Sequence, residues 1–166
     1  MCRAAERRDG QAFASHFAED GVYHDDFYGE FVGRERIAEL INDWFHRDGR
    51  SYRWDMIDPV MQADRLYVRY IFSWNSNLPE AADARTMFEG VSIMTLRGDQ
   101  ITNYREVVSA GTAFVDMNFH PERIFKIFSR KATAMKAKPE VQAHLTTPYN
   151  VCQLDAQAID FSAIPN

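Results

Sequence analysis

The sequence predicts an α+β fold, a cone-shaped curved antiparallel sheet wrapped around N-terminal helices, with an added C-terminal helix and tail. Three observations predict its two main layers. Ile37, Leu40, Ile41, Trp44 and Phe45 fall at i, i+3, i+4, i+7 and i+8, one apolar stripe of a helix. From Ser51 the period changes to two, with Tyr52, Trp54 and Met56 alternating with more polar neighbours, as in a half-buried strand. Helical signals come first and strand signals later, which separates α+β from alternating α/β.

Taken in order, Ala4 and Ala5 open a helix that breaks at Asp9-Gly10. Asp9 is placed to cap a second start, its carboxylate accepting the free amide hydrogens of the next turn. Phe13 and Phe17 are four apart and share a face, so this helix is expected to run to Asp20-Gly21. A short strand is expected over 22–25, ending among acids, aromatics and Gly29. Gly33 precedes the long helix, and Gly49 is expected to supply its left-handed stop. Beyond Tyr52, Gln62-Ala63-Asp64 makes a turn and 65–74 reads as a strand rich in β-branched and aromatic residues. Residues 75–84 form a polar, Pro-containing loop. Two more strands, 85–96 and 101–109, are joined by the hairpin turn Arg97-Gly98-Asp99-Gln100. The middle of the chain is thus a meander of three or four antiparallel strands.

Pro121 sits where a last helix starts, with Ile124, Ile127, Phe128 and Met135 as its stripe. Residues 121–138 hold six basic side chains and one acid, so this segment carries +5 and the rest of the chain −10. The stripe is expected to pack on the sheet or a second subunit while the charges stay solvated. Residues 139–166, with Pro148 and Pro165, are turn-rich and are expected to pack as an extended tail or to stay mobile. The expected division is a cone domain over 1–115 and a C-terminal extension over 116–166 packed on the same domain.

The 166 residues carry 19 Lys+Arg against 24 Asp+Glu, net −5, with 46% hydrophobic residues. That length buries a core without staples, and the apolar content excludes a disordered chain. The acidic balance argues against a nucleic-acid-binding surface. No run approaches the ~20 apolar residues of a membrane span. The first eight residues contain no apolar signal core, so a cytoplasmic protein without membrane contact is expected. Cys2 and Cys152 show neither metal-like spacing nor a disulfide framework, and His16, His46, His120 and His144 show no ligand spacing. With no glycine-rich phosphate loop either, no metal, nucleotide or other cofactor is expected.

Four blocks occur in an order that resembles the nuclear transport factor 2-like superfamily, in particular its SnoaL-like branch. They are Asp9-Gly10-Gln11-Ala12-Phe13, Phe17-Ala18-Glu19-Asp20-Gly21-Val22-Tyr23-His24-Asp25, Gly33-Arg34-Glu35-Arg36-Ile37, and the hairpin from Gly98 through Tyr104-Arg105-Glu106. The resemblance spans about residues 2–115. It implies a cone with an apolar pocket and a homodimer through the outer sheet face. The superfamily includes cyclases, isomerases, dehydratases, epoxide hydrolases and non-catalytic binding subunits, so fold alone does not select an activity.

The resemblance also implies site residues. In the ketosteroid isomerase relatives, the acid at the end of the first strand points into the cone and moves a proton beside a carbonyl; Asp25 matches it without a gap. A carboxylate among aromatics loses hydration, which raises its pKa toward that of a useful base. The alternative is that Asp25 and Asp26 form a turn and bond nearby amides. The position matching the isomerases' hydrogen-bond-donating acid is about Val91, and their helix-one tyrosine has no counterpart, which argues against steroid isomerisation.

Glu106 matches the inward acid of SnoaL-like cyclases and epoxide hydrolases, and alternation puts Tyr104 and Glu106 on one face with Arg105 on the other. Asp25 and Glu106 then face each other as base and acid. The alternative for Glu106 is a cross-strand pair, and the Asp–Arg–Asp set of an epoxide hydrolase is not assembled. His24 falls on the face opposite Asp25 and is expected to be structural. Among the aromatics, most are core; Tyr23, Trp44, Trp54 and Phe88 are expected to wall the pocket.

The expected function is proton-transfer chemistry (cyclisation, isomerisation or dehydration) on a small hydrophobic, carbonyl-bearing or polyketide-like ligand. Asp25 is the base, and Glu106 or Tyr104 steers or returns the proton. The alternative is a non-catalytic ligand-binding or association module, with a pocket filled by its own side chains and Asp25 in a local turn. A peptide-binding transport factor fits least, since no partner motif is present.

Overall fold

The computed structural model describes residues 1–147, so Cys152, Pro148, Pro165 and the rest of the expected tail over 148–166 lie outside the described residues. The chain forms two compact units, Met1–Ile124 and Phe125–Asn166. The first holds a curved, unclosed sheet of six strands with helices from the N-terminus, and the class is α+β as the sequence predicts.

Helices α1 (Cys2–Glu6) and α2 (Gly10–Ala14) meet at Asp9, whose Oδ1 accepts the Ala12 amide at 2.9 Å as a cap. The second helix stops at Ala14, well short of Asp20-Gly21, and β1 (Phe17–Asp25) begins at once. Phe13 and Phe17 are both fully buried with rings 5.7 Å apart, one from the helix and one from the strand. Tertiary packing of both phenylalanines overrides the four-residue spacing that suggested a longer helix. Strand β2 (Gly29–Val32) returns antiparallel to β1 and leads into α3 (Gly33–Glu39).

Ile37, Leu40 and Ile41 of the expected stripe are fully buried and Phe45 nearly so. From Leu40 to Phe45 the helix widens into a π-helical turn before α4 (His46–Asp48). The wider turn carries Trp44 off the stripe to a half-buried position. Gly49 ends this run in extended backbone, φ −157°, rather than in the left-handed stop expected of it. Gly10 is where the two helical segments touch. A Cβ there would stand 2.4 Å from the Ala38 carbonyl, and the Gly10 amide donates to Asn42 Oδ1 at 2.9 Å.

Strands β3 (Gly49–Gln62), β4 (Arg65–Ser76), β5 (Arg85–Arg97) and β6 (Gln100–Val108) form the expected antiparallel meander, giving the order β2-β1-β6-β5-β4-β3. β1 joins β6 in parallel, a pairing that strand patterning alone does not show. The β3–β4 register shifts between Arg50 and Arg53 and between Ile57 and Val60, where Ser51 and Asp58 take φ of 55° and 53°. Such bulges bend and twist a sheet, and here they curve it around the helices.

Helix α5 (Ala110–Asp116), not expected from the sequence, buries Ala113 and Phe114. Helix α6 (Pro121–Lys136) starts at Pro121 as predicted, and none of its residues is buried. Residues expected in an extended tail instead begin with α7 (Pro139–Thr146), whose proline sits in the first turn. Gly10→Ala is expected to cost about 2 kcal/mol by overpacking, against about 1 kcal/mol for loss of the cap in Asp9→Ala, both measured by urea unfolding.

Candidate functional site

The inward faces of β1, β6, β5 and β4 bring together Asp25, Glu106, Tyr104, Ser92 and Tyr70. Alternation along β6 buries Tyr104 completely, exposes Arg105 and turns Glu106 inward, as the sequence pattern requires. Glu106 Oε2 accepts from the Tyr70 hydroxyl at 2.7 Å and from the Tyr104 hydroxyl at 3.2 Å; its Oε1 accepts from the Asp26 amide at 3.3 Å. The Tyr104 hydroxyl also lies 2.7 Å from Ser92 Oγ, itself fully buried. Asp25, 8% exposed, accepts the Phe27 and Tyr28 amides with one oxygen, both at 2.8 Å. Asp25 therefore points inward and braces a turn at the same time, so the two readings of its sequence context coexist.

Tyr70 reaches Glu106 from β4 across β5. It crosses at its register partner Gly90, where a Cβ would stand 2.6 Å from the phenol oxygen. The missing side chain at 90 is thus what lets a phenol on one strand meet a carboxyl two strands away. Tyr70, Ser92 and Gly90 were not among the expected site residues. Tyr70 shares the inward alternation of β4, but its partner is set by strand register, which no local pattern encodes.

Burial, then the nearby charge of Asp25, push the Glu106 carboxyl up to about 8, while its bonds from Tyr70 and Asp26 pull the other way. Burial likewise raises the phenols of Tyr23, Tyr70 and Tyr104 well above their ordinary range, which keeps them neutral donors. A carboxyl of this kind holds its proton at neutral pH and can give it up to a group on the same inner face.

Of the expected pocket wall, Tyr23 stacks on Tyr104 at 4.3 Å, Trp54 sits edge-on to Tyr70 and Tyr104, and Phe88 packs against Tyr70 and Phe72. Trp44 stands apart from this group, edge-on to Tyr28 and Phe31 with the Arg47 guanidinium 4.9 Å over its ring. His24 pairs with Glu30 at 3.3 Å and Asn103 at 3.2 Å on the other face of β1. Val91 points outward and is 37% exposed. Among the described residues, no cluster of three or more His, Cys, Asp or Glu is placed to hold a metal ion.

The raised Glu106 pKa fixes a pH dependence. In the unfolded chain the carboxyl titrates near its ordinary 4.5, in the folded chain near 8. The folded state keeps a proton that the unfolded state releases, so this contribution is fully present below 4.5 and is lost as pH rises through 8. Glu106→Gln is neutral throughout and lacks this dependence. Its melting temperature relative to wild type is expected to rise between pH 5 and pH 9 by about 3 °C or more, read from parallel thermal scans.

The fold is shared with solved structures of low sequence identity. A Catenulispora acidiphila hypothetical protein with a ketosteroid isomerase-like fold, crystallised with trimethylamine, is 17% identical, with a TM-score of 0.63 over 72% of this chain and 93% of its own. An LEH-like epoxide hydrolase from M. tuberculosis is 15% identical, TM-score 0.57, over 70% of this chain and 82% of its own. A phenazine biosynthesis-related protein from Pseudomonas aeruginosa is 14% identical, TM-score 0.58, over 72% and 84%. No curated protein sequence matches the chain. The SnoaL-like domain matches residues 1–104, from the first helix through Tyr104 on the inner face of β6, and the chain belongs to that family.

Proposed function

We propose that the chain is an enzyme that moves a proton on a small hydrophobic carbonyl or polyketide-like substrate, leading to isomerisation, cyclisation or dehydration. The observation that carries this reading is Glu106, an inward carboxyl held by two tyrosine hydroxyls and a backbone amide, with its pKa raised to about 8 beside Asp25. Two carboxyls on one inner face, one of them holding its proton at neutral pH, are what acid–base catalysis needs. Asp25 takes the proton beside the carbonyl, leaving an enolate. Glu106, protonated below about pH 8, supplies a proton as the product forms, and Tyr104 and Tyr70 keep it oriented. Side chains alone supply both the acceptor and the donor in this scheme.

A second reading, a non-catalytic binding module, is favoured by one observation: Asp25 spends an oxygen on two turn amides. In either reading we propose a homodimer through the outer sheet face, supported by the exposure there of Tyr67, Ile71, Val91 and Val107.

The enzyme reading is tested with 2-tetralone in D2O, following α-proton exchange by NMR. Wild type is expected to exceed the buffer rate, and Asp25→Asn to lose about 100-fold or more of that enhancement. Glu106→Gln is expected to lose the fall in rate above pH 8 as well as rate. Binding of the ketone with exchange no faster than buffer leaves the binding module.

A further inference from the structure

From Phe88 onward the inward positions of β5 are Phe88, Gly90, Ser92 and Met94, and Ser92 holds the one polar side chain among them. It is fully buried and stands opposite Glu106 in the β5–β6 register. Among the described residues its Oγ meets one side chain, the Tyr104 hydroxyl at 2.7 Å. Glu106 Oε2 lies 3.2 Å from that same hydroxyl. An alanine at 92 would fill nearly the same space with no buried hydroxyl to satisfy.

Counting hydrogens gives the contact a direction. Each hydroxyl carries one hydrogen, and leaving it buried without an acceptor is costly. The Ser92 hydrogen has the Tyr104 oxygen to go to. Tyr104 then cannot donate back, so its own hydrogen goes to Glu106 Oε2, where the Tyr70 hydrogen arrives as well. The bonds therefore run one way, from Ser92 to Tyr104 to Glu106. A phenol that accepts a hydrogen bond is also a stronger donor, because each bond in a chain polarises the next. Ser92 accordingly draws the Tyr104 phenol down against the burial that raises it.

We propose that Ser92 is a positioning residue: its buried hydroxyl aims the Tyr104 hydrogen at Glu106 and readies that carboxyl to give up and regain its own proton. Ser92 acts through Tyr104 and takes no part in the chemistry itself. The role rests on the proton-transfer reading and deepens it. The contact that orients the acid also stabilises the carboxylate left behind when the proton leaves. The ionisable groups that face Glu106 are Asp25 and Tyr23 of β1, Asp26 of the following turn, Tyr70 of β4 and Tyr104 of β6 itself.

The test follows the Glu106 carboxyl by 13C NMR between pH 4 and pH 10, in protein labelled at the glutamate side-chain carboxyls. The Glu106 signal is the one absent from Glu106→Gln, and amide spectra report that each variant is folded. Ser92→Ala is expected to raise the titration midpoint by about half a pH unit, because Tyr104 becomes a weaker donor to the carboxylate. Tyr104→Phe is expected to raise it by about one pH unit or more. Adding Ser92→Ala to Tyr104→Phe is expected to move it no further, as for any residue that acts through another. In Tyr70→Phe, where the Tyr104 hydroxyl is intact, Ser92→Ala is expected to keep its effect.

An unmoved midpoint in Ser92→Ala overturns the proposal. So does a lowered one, since Tyr104 then donates to Ser92 rather than to Glu106. Equal movement with and without the Tyr104 hydroxyl overturns it too and leaves Ser92 as packing alone. The titration needs no substrate, so the exchange assay with Asp25→Asn judges the proton-transfer reading separately.

Discussion

A carboxyl on the inner face of a sheet has lost its water, and the fold must replace that solvation or leave the group protonated. Glu106 meets this constraint both ways. Its oxygens accept from Tyr70, Tyr104 and the Asp26 amide, and burial still raises its pKa to about 8. Those donors come from the turn after β1, from β6 itself and from β4. Satisfying one carboxyl therefore requires the order β1-β6-β5-β4 and the right register in each pairing. The cost of an error is an unpaired buried polar group, which makes the arrangement strict rather than approximate.

Small residues make room for this network. Gly90 leaves the gap through which the Tyr70 phenol crosses β5, and Gly10 lets α2 sit directly on the Ala38 carbonyl. Close helix packing carries Phe13 into the sheet, where it meets Phe17, Tyr23 and Trp54. The stacked pair Tyr23–Tyr104 then ties β1 to β6, the parallel pair of an otherwise antiparallel sheet. Aromatic packing and the polar network are thus the same side chains seen from two ends: rings fill the interior while hydroxyls converge on Glu106.

Much of this was legible in advance where it depends on local spacing. Alternation along β6 correctly turns Tyr104 and Glu106 inward and Arg105 out, and Asp9 caps α2 as its position suggests. Spacing misleads where packing or backbone geometry intervenes. Phe17 looks helical relative to Phe13 but belongs to a strand, and the π-helical turn moves Trp44 off a stripe that an ideal helix would give it. Helix α5 is only seven residues long with a glycine near its start, too little periodic signal to read. Tyr70, Ser92 and Gly90 could not be singled out, because their importance comes from partners on other strands.

Composition, periodicity and capping residues determined the class of the fold, the long helix, the antiparallel meander of three or four strands and the shared face of Tyr104 and Glu106, while the inward direction of Asp25 was implied by the family resemblance. These are consequences of 3.6-residue and two-residue repeats, which any contiguous stretch displays. Tertiary structure alone decided that β1 lies parallel to β6, that Gly90 admits Tyr70 to Glu106, and that the Ser92 hydroxyl meets that of Tyr104. The physical reason is that register and curvature bring together residues dozens of positions apart, and desolvation acts on whichever groups that geometry encloses.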